Sequence, residues 1–114
     1  MSLSPLEFLK HILDELNYLL EKSSESSETE FSNDATLQRA FTRSLEIIGE
    51  ATKKLDREFL DRYPDIPWAD MAKLRDKLIH HYFGIDYELV WNIVIVEVPK
   101  LKDQIQGVIN REQT

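Results

Sequence analysis

The residues best suited to chemistry on a phosphate group lie in one short segment, RDKLIHHY at positions 75–82. The planar guanidinium of Arg75 can hold two phosphate oxygens at once. The imidazole of His80 changes its charge near neutral pH, which suits general acid–base catalysis. Tyr82 adds a phenolic hydroxyl close by. These three residues are the candidates for chemistry, although Arg75 and His80 each have a structural interpretation as well.

The structural interpretations follow from treating the segment as part of a regular helix. Arg75 would then share a face with apolar residues, where its stem could pack while its charged head reaches water or a carboxylate. Otherwise its guanidinium faces a cleft or a symmetric interface. His80 would lie in the last helical turn, where the helix dipole favours its imidazolium form, either as an exposed capping group or as an acid–base group.

A regular helix also keeps Arg75 and His80 about 140° apart around its axis. The two side chains can converge if the helix unwinds towards Gly84. They can also converge if two copies of the chain pair across a twofold axis. The spacing alone leaves both routes open.

Composition and charge limit the class of protein. The chain has 114 residues and a net charge of −7, which predicts one domain over residues 1–114 and argues against broad coating of nucleic acid. Residues 69–82, with three basic and two acidic side chains besides two histidines, form a locally cationic window. Short apolar runs and a charged start predict no membrane span and no signal peptide. The chain has no cysteine, and a reducing cytoplasm is the default expectation for its compartment.

The sequence also lacks the common signatures of cofactor and metal sites. It has no cysteine, no glycine-rich phosphate loop and no pair of histidines at helical i,i+4 spacing. His11 has no ligand partner nearby in sequence, and we interpret it as structural or exposed. We therefore predict neither a cofactor nor a bound metal.

Two amphipathic helices are predicted in the first half of the chain. The first begins at a capping pattern of Ser4, Pro5 and Glu7, and its apolar face is formed by Leu6, Leu9, Leu13, Leu16 and Leu20. The serine- and glutamate-rich residues 23–33 are predicted to form a solvated loop. A second helix begins at Asn33 or Asp34 and keeps its apolar period as far as Phe59. Gly49 lies inside it, which either a close helix crossing or simple tolerance explains.

The second half is predicted to be helical too. YPDIPW at 63–68 breaks the pattern, and Pro67 opens a third helix that ends near Gly84. Asp86 caps a fourth. Residues 89–98 are rich in branched apolar side chains, which suit a strand, but no partner strand is available. We therefore predict a helix there, apolar on more than one side, with Pro99 kinking or restarting it. The sum is an all-α bundle of four or five helices.

Several segments together resemble the HepT-like toxins, a branch of the HEPN superfamily. Arg75, His80 and Tyr82 form an RxxxxHxY pattern, which would be a weak signal alone. The other matching landmarks follow in order along most of the chain: LEIIGEATKKL (45–55), YPDIPWADM (63–71), HYFGIDYELVW (81–91) and VPKL (98–101). One position departs from the pattern, because many relatives carry Asn where this chain has Asp76.

The resemblance implies a HEPN-like homodimer in which Arg75 and His80 of both copies line an interface cleft. It implies a metal-independent endoribonuclease that acts on RNA, with tRNA as the prominent substrate. It also implies the toxin of a type VII toxin–antitoxin pair. An MNT-type nucleotidyltransferase antitoxin would neutralise it by transferring AMP to Tyr82. Asp76 is a possible supporting residue that orients Arg75 or His80, or a charge that weakens RNA binding.

Two other functions stay open. A catalytically inactive dimeric HEPN module would bind a nucleotidyltransferase partner or a nucleotide, and the acidic net charge favours it modestly. A purely structural bundle would make the motif residues dispensable. Phe83 and Trp91 are candidates for stacking on RNA bases, although core packing is the favoured interpretation for both.

Overall fold

The computed structural model describes residues 3–80 and 84–114. The prediction of an all-α fold is confirmed. The helices are α1 (Pro5–Ser24), α2 (Glu28–Ser32), α3 (Ala35–Lys53), α4 (Arg57–Asp61), α5 (Trp68–Ala72), α6 (Leu74–Leu78), α7 (Tyr87–Asn92), a π-helical segment (Ile93–Glu97) and α8 (Val98–Glu112). Two short antiparallel strands, β1 (Ile79–His80) and β2 (Gly84–Ile85), lie between α6 and α7.

The three long helices form the centre of the bundle, with α1 packed against both α3 and α8. The buried line of α1 is shifted from the predicted one, because it consists of Leu9, Ile12, Leu16 and Leu19. Leu6, Leu13 and Leu20 are only partly buried beside it. A helix that packs against a neighbour on each side needs a wide apolar stripe. The buried and the partly buried apolar residues of α1 both fall within that stripe.

The helix starts that the sequence predicts are confirmed. The Ser4 hydroxyl accepts the Glu7 backbone N–H at the start of α1, with Pro5 in the first turn. Asp34 accepts the backbone N–H of Leu37 at 3.0 Å and begins α3. Asp86 accepts that of Leu89 at 3.1 Å and begins α7. Each cap satisfies a backbone donor that the helix itself leaves unpaired.

The predicted loop at 23–33 is wrong in its second half, where α2 forms. Ser27 and Glu30 make a reciprocal capping box at its start. Phe31 is almost fully buried and packs against Phe41 and Trp91, with ring centroids 5.1 and 5.2 Å away. The capping box and the burial of Phe31 together stabilise a helix in a segment that is otherwise polar.

The predicted second helix ends earlier than its apolar period. It stops at Lys53, and Asp56 caps the separate helix α4 by accepting the Phe59 backbone N–H. Leu55 and Phe59 are buried as predicted, but from a turn and a new helix. The close crossing at Gly49 is confirmed, because a Cβ there would lie 3.3 Å from the carbonyl oxygen of Met71.

The predicted third helix forms as two short helices, α5 and α6, and the prediction is wrong about its continuity and its end. It breaks at Lys73, whose φ of −100° and ψ of 10° separate α5 from α6. It then ends at Leu78, because Ile79 adopts the extended φ and ψ of a strand. Gly84 accordingly is not a helix-ending residue, and its φ of +77° starts β2.

The helical prediction for residues 89–98 is confirmed, with a π-helical segment inside it. Val90, Ile93, Val94 and Val98 are buried, whereas Ile95 is 45% and Val96 is 42% exposed. Pro99 lies in the first turn of α8, so it restarts the helix. Among the described residues, no helix is long and apolar enough to span a membrane.

Candidate active site

Helix α6 presents the charged residues of the motif to solvent. Leu74 and Leu78 are buried and fix the helix to the bundle, while Arg75, Asp76 and Lys77 are exposed. The prediction that Arg75 sits within the apolar face is therefore wrong. The break at Lys73 is the physical reason, since a single helical wheel does not describe both α5 and α6.

The ion pairs around α6 leave the motif arginine accessible. Lys77 Nζ lies 3.4 Å from Asp70 Oδ1 on α5, and both side chains are exposed. In the described part of the chain, no ion pair reaches Arg75 or Asp76. Asp76 follows Arg75 directly, and adjacent helical residues do not face each other. The Arg75 guanidinium is therefore exposed and available to an incoming anion.

His80 lies in a strand and not in the last turn of a helix. Because α6 ends at Leu78, the predicted effect of a helix dipole on His80 does not apply. The helix does end before Gly84, which is the condition under which Arg75 and His80 of one copy could converge. His80 is described by its backbone alone, and His81, Tyr82 and Phe83 lie outside the described residues.

The strand pair that follows α6 is a feature that the sequence analysis missed. Ile79 pairs with Ile85 and His80 pairs with Gly84. The backbone N–H of Asp86 donates to the Leu78 carbonyl at 2.8 Å and closes the pair. Gly84 tolerates its positive φ because it has no Cβ. Gly84 is the signal in the sequence for a positive φ at this position, although its place after an apolar helix also suits a helix end.

Comparison with known proteins assigns the family. The family model for HepT-like ribonucleases matches residues 12–108, which include the complete RxxxxHxY pattern. This chain belongs to the HepT-like ribonuclease family.

Relatives from bacteria and archaea extend the match over nearly the whole chain. A "Putative RNase" of Caldanaerobacter subterraneus subsp. tengcongensis is 43% identical over 110 residues, covering 96% of this chain and 98% of the relative. A "Putative RNase" of Methanocaldococcus jannaschii is 47% identical, covering 90% of this chain and 84% of the relative. A "Probable ribonuclease HepT" of Thermococcus cleftensis is 39% identical, covering 93% of this chain and 96% of the relative. No solved structure gives a significant match.

A cleft beside α6 adjoins the motif of this HepT-like chain, since Leu74 and Lys77 line it. It has a volume of about 310 Å³ and lies between α5 and α6 on one side and α7 and the π-helical segment on the other. Lys77, Asp70 and Glu97 contribute its charged groups, and Met71 and Ile93 contribute apolar surface. A larger hollow of about 680 Å³ lies between the end of α3, α4 and α5, and none of the predicted site residues lines it.

Of the two aromatic candidates for stacking on RNA bases, the structure describes Trp91 and not Phe83. Trp91 is partly buried and packs against Phe31 and Phe41 of the core, so the core interpretation is confirmed for it. Phe83 lies outside the described residues. His11 is exposed on α1, in line with its interpretation. Among the residues that the structure describes, no group of three or more His, Cys, Asp or Glu side chains could hold a metal ion.

Proposed function

We propose that this HepT-like protein is a metal-independent endoribonuclease that cleaves RNA, with tRNA as its main substrate. The observation that carries the proposal is the family match over residues 12–108, combined with an exposed Arg75 free of ion pairs within the described chain. An exposed guanidinium can approach a phosphate without first breaking an internal salt bridge.

The mechanism uses the nucleophile that RNA itself carries. A base takes the proton of the ribose 2′-hydroxyl, and the 2′ oxygen attacks phosphorus. The bond from phosphorus to the 5′ oxygen breaks as an acid gives that oxygen a proton. His80 of one or both copies supplies the acid and base, and Arg75 stabilises the phosphorane by contacts to its oxygens. Asp76 then adds a negative charge next to this group, so Asp76→Asn should strengthen RNA binding if its carboxylate does not orient Arg75 or His80.

The active form in this proposal is a homodimer. Ile95 and Val96 on the π-helical segment and Ile79 beside the motif are large apolar side chains that remain more than 40% exposed. Exposed apolar groups of this size are typical of a subunit interface when they lie together on one surface. Ile95→Glu should therefore raise the fraction of monomer measured by sedimentation velocity, and an unchanged distribution would exclude this face.

The proposed physiological role is that of a cytoplasmic toxin paired with an MNT-type nucleotidyltransferase antitoxin. Transfer of AMP to Tyr82 would add bulk and a phosphate charge to the motif, opposing RNA both sterically and through Arg75. Mass spectrometry after co-expression should find one AMP added to the wild type and none to Tyr82→Phe. A wild type without added AMP would refute this form of regulation.

Growth after expression of the protein alone tests the toxin proposal. Wild type and His11→Ala should both arrest growth, since His11 is an exposed residue on α1. His80→Ala should not, because an acid–base group typically contributes about 10²–10⁴-fold in rate. Equal growth of all three strains would favour the inactive binding module, which the net charge of −7 supports by repelling RNA.

A further inference from the structure

A cation without an internal partner borders the larger hollow, the cavity of about 680 Å³ between the end of α3, α4 and α5. Lys53 lies one helical turn after Gly49, so it shares the face of α3 that packs against α5. Its side chain is exposed and lines the hollow. Within the described chain it makes no ion pair, so its ammonium group is available to an anion.

The other charged groups that line the hollow have partners. Arg57 Nη1 lies 3.9 Å from Asp61 Oδ1, and Lys77 Nζ lies 3.4 Å from Asp70 Oδ1. Each carboxylate of the hollow is therefore close to a positive charge. Among the lining residues that the structure describes, Lys53 carries the charge that no neighbour compensates.

One wall of the hollow is apolar. It is formed by Pro64, Ile66, Pro67 and Trp68, which belong to the turn before α5 and to its first residue. The indole N–H of Trp68 donates to the carbonyl of Tyr63 at 3.0 Å and fixes the orientation of the ring. Ligand pockets of about 300–1,000 Å³ typically combine apolar walls with a few polar groups. The hollow has this character, with a free cation at its edge.

The segment around the hollow is more positive than the rest of the chain. Residues 53–77 contain seven of the 14 basic residues and six of the 21 acidic ones, a net +1 in a chain of −7. Ala72 lines the hollow, Lys73 follows it, and Arg75 lies on the next helix. Lys73 and Arg75 are exposed, and neither makes an ion pair with the described residues. Free cations therefore continue from the hollow to the motif.

We propose that the larger hollow is a binding subsite for single-stranded RNA. Lys53 contacts a phosphate other than the one that is cleaved, and the apolar wall receives the adjoining base or ribose. This inference rests on the proposed function, in which Arg75 contacts the cleaved phosphate. Proteins that bind single strands without sequence preference combine basic groups that follow the backbone with surfaces that receive the bases. Lys73 lies between these two phosphate contacts in the sequence and adds a third cation.

The neighbouring residue Lys54 supplies a matched control. It is also exposed and without an ion pair in the described chain. It lies on another side of the end of α3, where it lines a shallow surface with Phe8 and His11 of α1. Lys→Ala removes one positive charge at either position. A difference between the two variants therefore reports on the hollow and not on net charge.

The experiment measures binding of a fluorescent 2′-O-methyl oligouridine to the full-length protein by anisotropy at several salt concentrations. This probe lacks the 2′-hydroxyl nucleophile, so the wild type can be used without cleavage. Lys53→Ala should bind roughly tenfold more weakly, as expected for one charged hydrogen bond. The slope of log affinity against log salt should become shallower by about one. Lys54→Ala should match the wild type, and Lys53→Arg should keep most of the affinity.

Two results of the binding measurement would overturn the proposal. One is wild-type affinity in Lys53→Ala, and the other is an equal loss in Lys53→Ala and Lys54→Ala, which would indicate an effect of net charge alone. In tRNA cleavage, Lys53→Ala should raise KM more than it lowers kcat, because the contact lies away from the reacting phosphate. If the wild type cleaves no RNA, the proposed function fails, but the binding comparison still decides whether the hollow receives RNA.

Discussion

The bundle centre and the motif segment, residues 68–86, are built in opposite ways. The centre consists of the long helices α1, α3 and α8, whose inward faces are continuous and apolar. The motif segment contains two five-residue helices and a two-stranded pair, with Arg75, Asp76 and Lys77 exposed. The exposed polar groups of the motif segment are therefore free for chemistry, while its buried residues Met71, Leu74 and Leu78 join the core of the bundle. The difference predicts that substitutions will separate into those that unfold the protein and those that inactivate it.

The largest effect on stability is expected for Phe41→Ala in the bundle centre. Phe41 is fully buried and contacts the rings of Tyr18, Phe31 and Trp91. Removing such a ring should lower the free energy of unfolding by about 3–5 kcal/mol, measured by urea denaturation. Arg75→Ala is the matched change in the motif segment and should alter it by less than about 0.5 kcal/mol. Similar losses in both variants would contradict the separation.

A smaller effect is expected where the two regions touch. A Cβ at Gly49 would lie 3.3 Å from the Met71 oxygen and 3.4 Å from the Ala72 oxygen, both on α5. Gly49→Val should therefore lower the free energy of unfolding by about 1–3 kcal/mol and also reduce RNA cleavage by displacing α5 and α6.

The control for this junction is Gly107→Ala in α8. A Cβ at Gly107 meets no atom within 4 Å, so alanine should raise the free energy of unfolding by up to about 1 kcal/mol through its helix propensity. A loss of stability in Gly107→Ala would contradict the expectation that the backbone propensity of α8 decides the effect at this open position. Full activity in Gly49→Val would show that the centre does not position the motif.

The smallest effect concerns Tyr63, which joins the turn before α5 to the end of α8. Its hydroxyl donates to Glu112, and this hydrogen bond, followed by burial and the charge of Glu112, raises the pKa of Tyr63. A raised pKa in the folded state stabilises the fold below the ordinary tyrosine pKa of about 10, and this stability is lost as pH rises through the folded value. Tyr63→Phe should therefore lose less stability than the wild type as pH rises above about 10 and through the raised pKa of Tyr63. An identical alkaline loss would refute this role.

Local signals in the sequence predict the ends of helices better than their continuity. Ser4, Asp34 and Asp86 are confirmed as caps because a cap depends on a side chain and a backbone N–H three residues later. The break at Lys73 involves a tertiary contact, since the Met71 and Ala72 carbonyls lie against Gly49. Helical periodicity contains no information about such a contact.

The candidate site shows the same limit. Residue types and order suffice to select Arg75, His80 and Tyr82, and the family match covers all three. A regular helix nevertheless gives the wrong surroundings for both catalytic candidates. Arg75 is exposed rather than within the apolar face, and His80 lies in a strand. The strand pair consists of only four residues, too short a pattern for alternation to predict.

We propose that the exposed polar residues of the motif segment carry ribonuclease chemistry, while its buried side chains, Met71, Leu74 and Leu78 among them, belong to the core of the bundle. The most direct test is cleavage of tRNA by purified wild type, His80→Ala and His11→Ala in the presence of a metal chelator. Wild type and His11→Ala should cleave at equal rates, and folded His80→Ala should be slower by about 10²–10⁴-fold. Equal cleavage by His80→Ala, or loss of wild-type cleavage on adding the chelator, would contradict the account.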